Sequence, residues 1–115
     1  MKNSCLFCRI IRNEIPASRV FENDSTLIIK DISPQAPYHY LAIPKEHYSG
    51  IHNVPSSKGD LFKNLFASIS EFVREENLEE KSYRLVINYG EKAGQSVAHI
   101  HVHILGGREM KWPPG

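Results

Sequence analysis

No long hydrophobic run interrupts the sequence. Its longest unbroken apolar stretches are four residues each, Cys5–Cys8 and Tyr40–Ile43. About 20 are needed to cross a bilayer, so no membrane-spanning helix is expected. The N-terminus lacks the apolar core of a secretory signal, and a cytoplasmic location is expected. An excess of one charge is also missing. Fourteen Lys+Arg against thirteen Asp+Glu leave +1, which argues against a protein that binds nucleic acid through net charge. There are only two cysteines, too close in sequence to build a disulfide framework. Internal repeats and low-complexity segments are absent. What remains is 115 residues with a 41% apolar share, the size of one domain over 1–115 with a real core.

Hydrophobic spacing gives the outline of that domain. Leu6, Phe7, Ile10 and Ile11 form a short helical stripe before Pro16. Arg19–Glu22 and Thr26–Ile32 read as strands joined at Asn23-Asp24-Ser25, a polar turn. Two prolines make Ser33–Pro37 a loop, and Tyr38–Ile43 reads as a third strand. Lys45–Gly59 is polar and irregular. Leu61, Phe62, Leu65, Phe66, Ile69, Phe72 and Val73 then recur at helical spacing to about Glu76, with Asp60 as the expected N-cap. The acidic run Glu75–Glu80 reads as a solvated end. Tyr83–Asn88 and Val97–Leu105 are the fourth and fifth strands. The expected fold is α+β: a five-stranded, mainly antiparallel sheet with one long and one short helix. The long helix covers one face and leaves the other for a site or a partner.

Six residues are histidine, and three of them fall within His99-Ile100-His101-Val102-His103. On a strand, a period of two puts these imidazoles on one face, with Cα atoms about 6.6–7 Å apart. A half-buried strand whose polar face happens to be histidine is the bland reading, and it is disfavoured by cationic repulsion with no structural gain. Two chemical readings remain: a metal chelated by His-x-His, and histidine catalysis by a nucleophile with orienting neighbours. Gly94-Gln95-Ser96, just before, offers backbone N–H groups suited to a phosphate and favours catalysis.

Gly94–Leu105 as a whole resembles the His-x-His-x-His signature of the histidine triad superfamily of nucleotide hydrolases and transferases. Asp31–Pro37 with Ile43-Pro44-Lys45, and Leu105–Arg108 with Trp112–Gly115, are similar to its Hint branch, the histidine triad nucleotide-binding proteins. The resemblance implies a purine nucleoside phosphoramidate hydrolase working through a nucleotidyl-histidine intermediate. Dinucleotide polyphosphate hydrolysis, nucleotidyl transfer and a binding protein with vestigial catalysis are the alternatives. It makes His101 the nucleophile, its other ring nitrogen held by a backbone carbonyl. His103 becomes the donor to phosphate, His99 the residue orienting its neighbours, and Ser96 a phosphate contact that passes a proton to the amine. Asp31 would hold the ribose hydroxyls, and Asn88, Gly94 and Gln95 would contact ribose and phosphate. Phe7, Ile10 and Ile32 would line the purine pocket. His39 fits either a further active-site histidine or a buried, hydrogen-bonded one. Ile29 and Lys111 depart from residues common in the branch, an aromatic and a histidine. A purine nucleoside monophosphate or phosphoramidate is the implied ligand, in a homodimer whose tail, with Trp112, reaches toward the partner.

Cys5-x-x-Cys8 is the other cluster. Both thiols fit the apolar side of the short helix. They also fit a structural zinc site completed by His47 and His99, as in some bacterial members of the superfamily. Catalysis itself calls for no cofactor.

Overall fold

The computed structural model describes residues 5–115, so the first four positions of the expected domain lie outside the described residues. Its elements are α1 (Leu6–Ile11), β1 (Arg19–Glu22), β2 (Thr26–Lys30), β3 (Tyr38–Pro44), α2 (Asp60–Glu75), β4 (Tyr83–Ile87) and β5 (Val102–Gly106). The strands form one sheet in the order β1-β2-β3-β5-β4, and every neighbouring pair is antiparallel. This is the α+β architecture expected. No helix among the described residues is long and apolar enough to cross a membrane.

Local chemistry explains the joints. Asn23 builds the β1–β2 turn, its Oδ1 accepting the N–H groups of Ser25 and Thr26. Its Nδ2 donates to Ser68 Oγ on α2, tying turn to helix. β2 stops at Lys30, short of the expected Ile32, because Asp31 Oδ1 accepts the Ser33 N–H and turns the chain. Gly59, not Asp60, occupies the N-cap of α2; Asp60 is the first helical residue, where its charge suits the helix dipole. The acidic run holds a short 3-10 turn, Leu78–Lys81, whose Leu78 is buried against the core.

The sheet has two differently covered faces. On one, Leu65, Ile69, Phe72 and Val73 of α2 pack against Ile28, Ala42, Val102 and Ile104. Phe72 is almost fully enclosed, with Tyr40 and Phe21 edge-on to its ring. On the other face, Phe7 and Ile10 of α1 cover Leu27, Ile29, Leu41 and Ile43. Six residues of helix cannot cover a five-stranded sheet, and the histidines lie beside α1 on that face.

Candidate active site

The fifth strand is shorter than its apolar alternation implies. It begins at Val102, so His99 and His101 precede it and only His103 lies on it. The reason is backbone pairing outside the sheet: the His99 N–H donates to Val97 O and the Ile100 N–H to Tyr48 O. The three imidazoles nevertheless stay on one side. The rings of His101 and His103 are 5.1 Å apart, and Phe7 sits edge-on to both His99 and His101. Ile100, Val102 and Ile104 point into the core beneath α2. Alternation therefore survives although the strand does not reach that far.

Each buried imidazole has its tautomer fixed by a backbone group. His101 Nδ1–H donates to His99 O at 2.8 Å, which leaves Nε2 as the nitrogen with a lone pair. His99 Nε2–H donates to Pro44 O at 2.8 Å, leaving its Nδ1 bare. The Gln35 N–H donates to His39 Nδ1 at 3.0 Å, so the proton of neutral His39 sits on Nε2. From there it donates to His103 Nδ1 at 2.9 Å, and His103 in turn carries its proton on Nε2. His39 is thus buried and hydrogen-bonded, and its partner is a member of the triad. Burial is the first cause holding His103 at a pKa of about 4, with nearby His101 adding to it; burial likewise lowers His39, against the pull of Asp31. Both rings are neutral at pH 7.

The remaining nucleotide residues are dispersed around this centre. Asp31 is half-buried, with Oδ2 3.3 Å from His39 Nε2. Ser96 is exposed, and among the described residues its amide and hydroxyl have no hydrogen-bond partner. The expected anion nest at Gly94-Gln95 is not formed. Gly94 N–H donates to Glu91 O and Gln95 N–H to Gly90 O, so both amides are used within the turn. Gln95 acts as a brace instead: Oε1 accepts the Gly90 N–H and Nε2 donates to Ser49 O. Gly94 has φ 93°, a left-handed conformation that suits glycine. Half-buried Asn88 stands beside it, Nδ2 lying 3.8 Å from where a Gly94 Cβ would be.

For the purine pocket the outcome is mixed. Phe7 and Ile10 are 4% and 5% exposed, so they belong to the core under the site rather than to an open wall. Ile32 is 98% exposed and free to pack against a ligand. The departure at Ile29 is buried in the same cluster as Phe7 and touches no open surface.

Cys5, Cys8, His47 and His99 converge at the junction of α1, the segment after β3 and the segment before β5. Cys5 Sγ and Cys8 Sγ lie 3.4 and 3.7 Å from His99 Nδ1, and Cys8 Sγ lies 3.4 Å from His47 Nδ1. The two histidine Nδ1 atoms are 3.0 Å apart. Ligands about 2.0–2.3 Å from one ion at tetrahedral angles are separated by about 3.3–3.8 Å; the three sulfur–nitrogen distances fall in that range, and the two nitrogens would have to part by about 0.3 Å to hold a single tetrahedral metal. The bare Nδ1 of His99 fits it as well, because the Pro44 carbonyl holds the ring proton on the far side. Asp31, His39 and His103 also gather metal-ligating atoms. There the Gln35 N–H argues the other way: a metal on His39 Nε2 would force the proton onto Nδ1, against another donor.

A family model described as "Scavenger mRNA decapping enzyme C-term binding" matches residues 4–112. The chain is 42% identical over 115 residues, all of both chains, to an uncharacterized HIT-like protein of Synechococcus elongatus. It is 42% identical over 112 residues to a 14 kDa zinc-binding protein of Brassica juncea, covering 96% of this chain and 98% of that protein. The solved structure of a HIT family hydrolase from Legionella pneumophila superposes with a TM-score of 0.92 at 47% identity, covering 97% of this chain and 100% of that one. With its ordered histidines and this likeness along its whole length, the chain belongs to the histidine triad superfamily.

Proposed function

We propose that the protein hydrolyses purine nucleoside phosphoramidates. One observation carries the reading: His101 keeps its proton on Nδ1 against the His99 carbonyl, which leaves Nε2 as a neutral nucleophile. His103 Nε2–H, held in place by His39, donates to the phosphate oxygens as charge builds on them. Nε2 of His101 attacks the α-phosphorus while the phosphorus–nitrogen bond to the amine breaks. The amine leaves with a proton that solvent water supplies through the exposed Ser96 hydroxyl. Water then breaks the phosphorus–Nε2 bond: its oxygen goes to the nucleoside monophosphate, its released proton returns to solvent, and the neutral imidazole is restored. Asp31 takes the ribose hydroxyls, Ile32 flanks the base, and Asn88 closes the sugar side.

Zinc held by Cys5, Cys8, His47 and His99 is structural in this reading, and the Brassica juncea relative carries that metal in its name. It takes no part in the reaction. Unpaired thiols serving as zinc ligands suit a reducing compartment, which supports a cytoplasmic location in this reading.

The test sets an adenosine phosphoramidate beside a diadenosine polyphosphate. The phosphoramidate is expected to turn over at least ~100-fold faster, and His101→Ala to lose at least ~1,000-fold while still binding AMP within a few-fold. A nucleotidyl adduct trapped on quenching should map to His101. A faster dinucleotide reaction, or substantial activity left in His101→Ala, overturns the reading.

A further inference from the structure

Asp31, His39 and His103 lie side by side, with a single N–H at their centre. The Gln35 amide occupies His39 Nδ1, so His39 has one proton to give, on Nε2. His103 Nδ1 is hydrogen-bonded to that nitrogen at 2.9 Å, and Asp31 Oδ2 stands 3.3 Å from the same nitrogen, outside hydrogen-bond alignment but within reach of it. Asp31 cannot easily turn away, because its Oδ1 is engaged by the Ser33 N–H at 2.8 Å. The carboxylate is thus pinned at the edge of the site, beside the one donor that orients His103.

We propose that Asp31 is a positioning residue for His103, acting through His39, and that it links the sugar side of the site to the phosphate side. This rests on the nucleotide reading above. With no ligand, the carboxylate competes with His103 for the His39 N–H. A pair of sugar hydroxyls donating to Asp31 satisfies the carboxylate and leaves the N–H to His103. His103 Nδ1 then accepts a full hydrogen bond, and its own proton is held on Nε2, where the phosphate needs a donor. A ribose therefore raises the rate of the chemical step as well as the affinity. A sugar with fewer hydroxyls binds yet leaves His103 less firmly set.

Two measurements test this, the first without turnover. Nitrogen-15 NMR of the imidazoles in ligand-free protein should find His103 protonated on Nε2 with Nδ1 as a hydrogen-bonded acceptor. In Asp31→Ala the Nδ1 signal should move toward a stronger acceptor. His39→Gln, which keeps a donor, should preserve the tautomer, whereas His39→Phe should leave a mixture. A His103 protonated on Nδ1, or one that ignores Asp31→Ala, overturns the proposal. The second measurement compares adenosine and 2'-deoxyadenosine phosphoramidates. Losing the full strength of one neutral hydrogen bond corresponds to about fivefold, so kcat should fall about fivefold for the deoxy substrate in the wild type. In Asp31→Ala the two kcat values should converge while KM rises for both. If the deoxy sugar changes only KM in the wild type, Asp31 merely binds and the proposal falls. Absence of turnover with either substrate would sink the phosphoramidase reading, while the NMR arm would still decide whether Asp31 acts on His103.

Discussion

For a single imidazole, chemistry depends on which nitrogen keeps the proton, and here backbone groups make that choice. The carbonyls of His99 and Pro44 and the amide of Gln35 fix three rings, and the third ring fixes His103. None of this requires a charged histidine, and burial keeps the rings neutral: His103 is held at about 4, with desolvation the largest cause. The sign of the resulting pH dependence follows. Between pH 6.5 and 4 the unfolded chain binds protons that the folded chain refuses, so stability is complete above about pH 6.5 and declines as the pH falls toward 4. The limit is about 1.4 kcal/mol per pH unit, less for partly exposed His103. Carboxylates such as Glu22, held low by its hydrogen bond to Lys45, add to acid sensitivity only near and below their ordinary value of 4.5. Thermal unfolding is expected to be flat from pH 8 to 7 and to slide to lower temperature from pH 6 to 4, with a shallower slope in His103→Gln. A midpoint unchanged down to pH 5 would contradict the account.

Between elements, the Cys/His cluster does what a six-residue helix cannot do alone. Cys5 and Cys8 bracket the start of α1, and His47 and His99 come from segments far along the chain. A metal bound there joins three pieces that otherwise meet through Phe7, Ile10 and a few aliphatic side chains. The purified protein should hold about one zinc per chain, and removing it, or Cys5→Ser, should lower the unfolding midpoint by at least ~5 °C. A metal-free protein with an unchanged midpoint would refute this. The sequence offered this set as one of two readings of Cys-x-x-Cys, beside free thiols on the short helix, with His47 and His99 added by residue type and by the family resemblance; the structure brings all four together. The sequence also disclosed the first four strands to within a residue or two, since alternating apolar side chains and the turn residues at Asn23 and Pro34 act locally. It misplaced the start of β5 because Ile100 and Val102 alternate as a strand does while the Ile100 N–H pairs with Tyr48 O across the fold. The same limit hid the used-up amides at Gly94 and Gln95 and the Gln35 contact to His39. Those depend on where distant backbone arrives, and no spacing rule encodes it.

For the whole molecule, the sheet has two edges of opposite character. β1 exposes Glu22, and its side chains pair through charge, Arg19 with Glu22 and Glu22 with Lys45; a register shift between Arg19 and Phe21 further disrupts the edge. β4 is flanked by exposed apolar groups: Tyr83 and Ile87 at its ends, and Phe66 of α2 and Ile51 nearby, each 41–52% exposed. A groove of about 480 Å³ runs between Ile51, Phe62, Phe66 and Ile87. A strand edge beside a helix flank can meet a copy of itself about a two-fold axis, β4 against β4 and groove against groove. We therefore expect a homodimer, and the tail fits it: Arg84 holds the Lys111 carbonyl while Trp112 stands 82% exposed, available to a partner as an anchor. Sedimentation at micromolar concentration should give twice the 13.1 kDa chain mass. Ile87→Lys combined with Phe66→Lys places like charges across the axis in both copies and should weaken association at least ~100-fold, since a buried unpaired charge costs several kcal/mol. Because neither residue touches the histidines, the separated monomer should keep its His103 tautomer. A wild type that sediments as a monomer would leave this apolar edge without the occupant its symmetry favours.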